Sequence, residues 1–328
     1  MNISLFDDKP KLDEIYFKHD ILNRFGKLRI DEINNLIFYG MPTCGKTTKI
    51  YALLATIFDL KVYDIKNIEY NDDHKTMVYK ASIYHIEIDP IILGSNEKLF
   101  ISSFLKLYVE TRNIGLDIPK IILVKNAELL SKNSQLSLRK IIEKSSITTR
   151  FIFEISNISG FSPAIISRCL LIKIKMPNII EIKGCIKDYL NKKDIKITDN
   201  VIEHILDNTP YDLKKIFGHV FYYIHTKKYF KFLYYDKFNE ILNHITNKKI
   251  TFVGLQKIRD IINELYINLV SMDELMHFIF NKLCDIHKNK NDYIDALLKL
   301  TIKCDINLKK GNKDCIHLEH YIISIIDI

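Results

Sequence analysis

The stretch Asn35-Leu36-Ile37-Phe38-Tyr39-Gly40-Met41-Pro42-Thr43-Cys44-Gly45-Lys46-Thr47-Thr48 constrains this chain most, because an apolar run ends in an intact G-x-x-x-x-G-K-[ST] loop. Such a loop needs a strand before it and a helix after it, and both are legible. Leu36 to Tyr39 reads as a short buried strand, and Thr47 to Phe58 is apolar at helical spacing. The glycines let successive backbone N–H groups turn inward, and the helix adds the positive end of its dipole, so the loop suits the phosphates of ATP or ADP. The candidate nucleotide-binding residues are Gly40, Met41, Pro42, Thr43, Cys44, Gly45, Lys46, Thr47 and Thr48. Lys46 is expected to reach the β/γ-phosphates and Thr47 to hold Mg²⁺. Only 10 of 328 residues are glycine, which weighs against a chance match.

Strand-like and helix-like segments alternate from there to about residue 175. Ile83 to Asp89, Lys120 to Val124, Arg150 to Ser156 and Leu170 to Lys175 are β-branched or alternating runs, with helical patterns over Glu97 to Asn113 and Ser134 to Lys144. That alternation implies an α/β fold, a parallel sheet with helices on both faces and its ligand at the carboxyl ends of the strands. After Met176-Pro177 only helical patterns follow, over Ile179 to Lys192, Asn200 to Asn208 and Asp212 to His225. The lysine-rich stretch near Asn243 to Lys249 precedes a last helical block ending at Ile328. The expected division is an α/β nucleotide-binding domain over 1–175, a small helical domain over 176–240 and an all-α domain over 241–328.

The formal charge of +8 permits a nucleic-acid partner, and 15 Lys against 9 Asp or Glu between Lys173 and Lys249 carry much of it. Charge runs are commonly solvated helix faces, and a chain rich in Ile, Lys and Asn also reflects an AT-rich genome, so the excess does not require DNA. The N-terminus MNISLFDDKP has no basic and apolar leader pattern, and no apolar run approaches about 18 residues. An intracellular chain without a membrane partner is expected. The six cysteines lie far apart without a C-x-x-C pair, which suggests neither a disulfide framework nor a zinc knuckle.

The segment from Lys120 to Cys169 resembles the core of clamp-loader small subunits, the replication factor C family of AAA+ proteins. The likeness rests on the Gln135-x-x-Leu138-Arg139-Lys140 helix with Glu143 and Thr149-Arg150-Phe151, on Asn157 at a strand end, and on the tripeptide Ser167-Arg168-Cys169. Upstream, Tyr84-His85-Ile86-Glu87-Ile88-Asp89-Pro90 with Gly94 is similar to the end-position small subunit of the eukaryotic pentamer. The resemblance covers about the first 230 residues and fades in the last hundred. It implies an AAA+ P-loop parallel-sheet domain, a helical lid and an all-α C-terminal collar that holds a hetero-pentamer together. It also implies ATP or ADP with Mg²⁺, and as partners the other loader subunits, a ring-shaped sliding clamp and primed double-stranded DNA, at a nuclear or a viral or cytoplasmic replication site. By the same resemblance Asn157 is the sensor-1 residue and Arg168 an arginine finger given in trans to a neighbour's ATP. Tyr211-Asp212-Leu213-Lys214-Lys215 resembles the sensor-2 helix, with Lys214 in place of its arginine and so without the bidentate fork. The bland alternatives are a turn residue for Asn157, a surface arginine for Arg168 and a solvated helix lysine for Lys214.

The family follows its third apolar strand with Asp-Glu, the Asp supporting Mg²⁺ and the Glu activating water. Here Lys125-Asn126-Ala127-Glu128 follows Ile121 to Val124, a cation and an amide at those two places. Using Glu128 instead would draw Lys125 into a buried strand at a high desolvation cost. Nucleotide is therefore expected to bind without efficient hydrolysis at this chain's own site. Backbone contacts to DNA are expected from helix N-termini and the Gln135 to Lys140 helix. The alternatives left open are an autonomous P-loop ATPase or helicase, and a DNA-binding scaffold in which the nucleotide is structural.

Overall fold

The computed structural model describes residues 9–72, 75–111, 118–193, 195, 197–207, 209, 212–229, 233–246, 252–268, 270–288, 290–310 and 314–326. The expected helix ends at Asn113 and Asn208, Tyr211, and the pair Lys248-Lys249 lie outside the described residues.

Among the described residues seven strands form one sheet: β1 (Leu36–Tyr39), β2 (Lys66–Asp72), β3 (Lys75–Ala81), β4 (His85–Ile88), β5 (Lys120–Val124), β6 (Thr149–Ile155) and β7 (Leu170–Lys173), in the order β2-β3-β4-β5-β6-β1-β7. From β4 to β7 the pairing is parallel, as expected. At one edge the sheet carries an antiparallel extension that the sequence did not mark, β2 and β3 being antiparallel to each other and β3 antiparallel to β4. The reason is compositional. Lys66–Asp72 is an edge strand with mostly exposed side chains, so it carries no apolar run that marks it as a strand.

Alternate residues of the central strands feed two cores. Ile37, Ile122, Val124, Phe151 and Phe153 point to one face, where Leu138, Ile141 and Ile142 of the helix Lys132–Lys144 cover them. Leu36, Phe38, Ile121, Leu123 and Ile152 point to the other, where Ile50, Leu53 and Leu54 of the helix Lys46–Ile57 cover them. Each fully buried aliphatic side chain contributes about 1.5–3 kcal/mol, so these layers fix where β1 ends and the loop begins. The expected helix from Glu97 is interrupted by a π-helical turn at Ile101–Leu105, with Phe100, Ile101 and Leu105 turned into the first core.

The helices Ile179–Lys192, Asp199–Asp207 and Leu213–Thr226 share a small core of their own around Ile182, Ile186, Ile202 and Ile216. A capping box of Asn178 and Glu181 starts the first of them. Met176 packs against both this core and the sheet core beneath the loop, which ties these three helices to the α/β part. Among the described residues five further helices, Leu233–Thr246, Phe252–Ile267, Met272–Ile286, Asn291–Lys310 and Asp314–Ile326, form a second compact unit over 230–328. The expected boundary at 240/241 would cut the helix Leu233–Thr246. Its apolar face, Phe238, Ile241, Leu242 and Ile245, belongs to the C-terminal core, so the division falls at 229/230 instead. Among the described residues no helix is long and apolar enough to cross a membrane.

Candidate functional site

The loop leaves the carboxyl end of β1 under tight steric rules. A Cβ on Gly40 would stand 2.2 Å from the Ile174 carbonyl oxygen, so no other residue fits there. Gly45 begins the helix at φ 87°, and Thr43 sits at φ 62°, where a non-glycine residue costs about 1 kcal/mol. Met41, Pro42 and Thr48 are exposed along the loop, while Cys44 is buried beneath it.

Lys46 is buried, and its Nζ donates to the Gly40 and Met41 carbonyls at 2.9 Å each and reaches Ser156 Oγ at 3.5 Å. Its ammonium is thereby held at the carboxyl ends of β1 and β6. Thr47 Oγ1 donates to Glu154 Oε1 at 2.8 Å. Glu154 shares a face of β6 with Ile152, the face turned toward the loop helix, and burial raises its carboxyl pKa above the ordinary value despite the pull of Thr47, Lys125 and Lys46. Sequence reasoning missed this residue. Its signal was a lone acid inside the otherwise apolar run Phe151 to Ile155.

Beyond β5, Lys125 is engaged within the fold. Lys125 Nζ lies 3.1 Å from Glu87 Oε2 and donates to the Tyr51 hydroxyl at 2.9 Å. Glu87, buried on β4, also accepts from the Tyr51 hydroxyl and meets His85 Nε2 at 3.1 Å. Burial alone would raise the Glu87 carboxyl, but the His85 hydrogen bond, the Lys125 charge and the Tyr51 hydroxyl outweigh it and hold it at about 2. Burial and the neighbouring carboxylate push the Tyr51 phenol far above its ordinary range, so it stays a donor. Asn126, at φ 46°, turns its Nδ2 toward both Asp89 oxygens at 3.3 and 3.4 Å. Glu128 lies past the strand, as expected. Its Oε1 accepts from the Ser156 backbone N–H at 2.9 Å, and its Oε2 is buried without a hydrogen-bond partner.

The other predicted residues are more dispersed. Asn157 lies just beyond β6, beside the loop, but its Oδ1 caps a turn by accepting from Ser159 N and Oγ at 3.0 and 2.9 Å. Arg168 lies at the opposite end of the sheet. It precedes β7, whose Leu170 pairs with Leu36 at the start of β1, and its guanidinium bonds the Ala164 carbonyl at 2.6 Å and pairs with Glu143. Lys214 is exposed in the first turn of the helix Leu213–Thr226, where Asp212 is the N-cap. No hydrogen bond or ion pair joins Lys214 to the loop among the described residues. Burial lowers the pKa of Lys49 on the loop helix, against the charges of Cys44 and of Glu181 on the helix Ile179–Lys192.

The helix Lys132–Lys144 requires one correction. Gln135 is buried, its Nε2 donating to the Leu130 and Gly160 carbonyls and its Oε1 accepting from Ser162 N, so it braces the chain after β6 and has no face for DNA. Arg139 and Lys140 remain exposed.

No family model matches the chain. A replication factor C small subunit of Acanthamoeba polyphaga mimivirus is 26% identical over 332 residues, 96% of this chain and 88% of that one. Replication factor C subunit 5 of Saccharomyces cerevisiae is 28% identical over 62% of this chain and 63% of its own, and human subunit 3 is 22% identical over 61% and 58%. The chain thus matches less than two thirds of the length of these cellular relatives. Among solved structures, DnaA of Aquifex aeolicus bound to AMPPCP is 14% identical with TM-score 0.51, covering 97% of this chain and 98% of that one. DnaA bound to AMPPCP and single-stranded DNA is 14% identical with TM-score 0.53, covering 98% and 99%. These two likenesses speak for the fold.

Proposed function

We propose that this chain, a homologue of the replication factor C small subunits with the AAA+ fold, is a small subunit of a sliding-clamp loader acting in DNA replication. In this reading it binds ATP or ADP with Mg²⁺ on the Gly40 to Thr48 loop, hydrolyses it poorly, and gives Arg168 to the nucleotide of a neighbouring subunit. The observation that carries the reading is the separation of Arg168 from its own loop. The two lie at opposite ends of the parallel sheet, roughly 20 Å apart at the rise of a β-strand, so any phosphate Arg168 serves belongs to another chain.

The residues at the loop suit a hard cation that takes oxygen ligands. The Thr47 hydroxyl lies against the Glu154 carboxylate, and Glu128 Oε2 is a buried oxygen without a partner. Thr47 would hold Mg²⁺, which when bound neutralises charge on the phosphate oxygens. Lys46 is placed to exchange its loop carbonyls for phosphate. Asn126 stands where a base would take a proton from water, and an amide cannot accept one. Its bonds to Asp89 tie it away from such a role.

Support for the assembly lies in homology and in the separate five-helix C-terminal unit, which we assign as the collar. Other loader subunits, a ring-shaped clamp and primed double-stranded DNA are the partners of this reading. Its location is the replication site, nuclear or viral and cytoplasmic. Copurification with mass spectrometry tests it, the expected result being four AAA+ relatives and a ring-shaped clamp. The purified chain should bind nucleotide with ATPase near background. Turnover at the rate of an active loader would instead identify an autonomous ATPase.

A further inference from the structure

We infer that Glu154 on β6 has taken over the metal-supporting role that the position after β5 has lost, holding Thr47 for a nucleotide-bound divalent cation. The inference rests on the loop being a nucleotide site. An acid is needed near the Thr47 hydroxyl because a hydroxyl that keeps its proton directed at a carboxylate leaves its lone pairs for the cation. Lys125 cannot serve, and Glu87, which neutralises it, is itself committed to His85 and Tyr51.

Glu154 meets the geometric need. β6 lies between β5 and β1, and the register sets Glu154 beside Phe38, two residues before the loop. Its carboxylate therefore starts one strand nearer the loop than a residue on β5, and Oε1 takes the Thr47 hydroxyl at 2.8 Å. A second observation is independent of that bond. Glu128 carries a buried oxygen without a hydrogen-bond partner, and its other oxygen accepts from the N–H of Ser156, two residues after Glu154 and within reach of Lys46, so the two carboxylates converge on the carboxyl end of β6. A divalent cation on the phosphates would relieve that convergence. Glu154 acts here through Thr47, as a positioning residue.

The test is the affinity of the purified chain for fluorescent ADP in Mg²⁺ and in EDTA, with Mn²⁺ binding to the protein–ADP complex followed by electron paramagnetic resonance. Wild type should bind ADP about tenfold more tightly with Mg²⁺, the scale on which groups that orient metal ligands act. Glu154→Gln keeps the shape and an acceptor but removes the charge, and should bring that ratio to about one and weaken Mn²⁺ binding to match. Glu154→Asp should recover part of the ratio, and Glu154→Gln should add no further loss on a Thr47→Ala background. ADP binding in EDTA reports whether each variant is folded, and Glu154→Asp against Thr47→Ala decides the matter if Glu154→Gln is not. A wild-type ratio in Glu154→Gln overturns the inference. So does a wild-type chain that binds ADP equally in both buffers, which leaves the nucleotide reading intact. Absence of ADP binding in both buffers removes the nucleotide reading and the inference with it.

Discussion

Lys125 and Glu87 form an ion pair at the end of β5 that belongs to the fold. Glu87 is 3% exposed at its side chain and held at about 2, below the usual carboxylate value of 4.5, so its partners favour the charged form. A carboxyl depressed in the folded state adds stability that is fully present above its unfolded pKa and fades as pH falls from about 4.5 toward 2. Lys125→Met removes the cation and leaves the acid buried. The expected result is a loss of about 2–3 kcal/mol at pH 7 in urea denaturation, discounted because Lys125 is partly exposed, with acid unfolding beginning at a higher pH. Lys125→Asp should cost more, since it sets a second carboxylate against Glu87, and Glu87→Lys added to it should restore part of the loss. An unchanged urea midpoint in Lys125→Met would show that the pair does not stabilise the fold. At the loop, Lys46→Ala should abolish ADP binding measured by fluorescence. Gly40→Ala should also lose it, because the added methyl group meets the Ile174 carbonyl oxygen.

At the scale of elements, the helix Lys132–Lys144 has a structural face and a solvent face. Gln135 satisfies two carbonyls and one N–H of the neighbouring turns, so Gln135→Ala should destabilise by about 1–3 kcal/mol through unpaired buried groups, checked by thermal melting. Lys140 is the cleaner probe of DNA than Arg139, since Arg139 is paired with Glu143. If that face meets DNA in the assembled complex, Lys140→Ala should weaken primed-DNA binding across all sequences and reduce the salt slope by about one. An unchanged slope places the face elsewhere. The elements that were legible in the sequence were those whose side chains are buried on a regular period. All five side chains of Lys120–Val124 are buried, and Leu138, Ile141 and Ile142 repeat at helical spacing. The β2-β3 hairpin was not legible because its strands lie at or near an exposed edge. The start of the C-terminal unit was missed because one amphipathic helix follows another, and only tertiary packing tells which core Phe238 joins. Of the candidate site, the loop and Lys125 could be read from spacing along the chain. Glu154 is 107 residues from Thr47, and their pairing depends on β6 lying beside β1, a fact of topology.

At the scale of the whole molecule, the proposed role of Arg168 requires a second chain. The parallel strands carry the phosphate loop at one end and Arg168 at the other, so a single copy cannot bring the two together without unfolding its sheet. Within the chain, Glu143 accepts from Arg139 and pairs with Arg168, and these two keep its carboxyl below the usual range. The pair restrains the guanidinium, and under the proposed function that restraint would lower the entropic cost of presenting it to a neighbour. Arg168→Ala should leave this chain's own ADP affinity in place and slow hydrolysis at one site of the assembled loader, by roughly 10³ to 10⁵ if it stabilises charge as such fingers do. Bulk ATPase would fall less if the other sites fire independently. Glu143→Gln, which loosens the guanidinium but keeps it, should give a smaller loss at the same site. The measurement is single-turnover hydrolysis in a reconstituted complex where only the adjacent subunit keeps a working phosphate loop. Wild-type turnover there with Arg168→Ala would remove the finger assignment, since no other site remains in that complex to mask its loss.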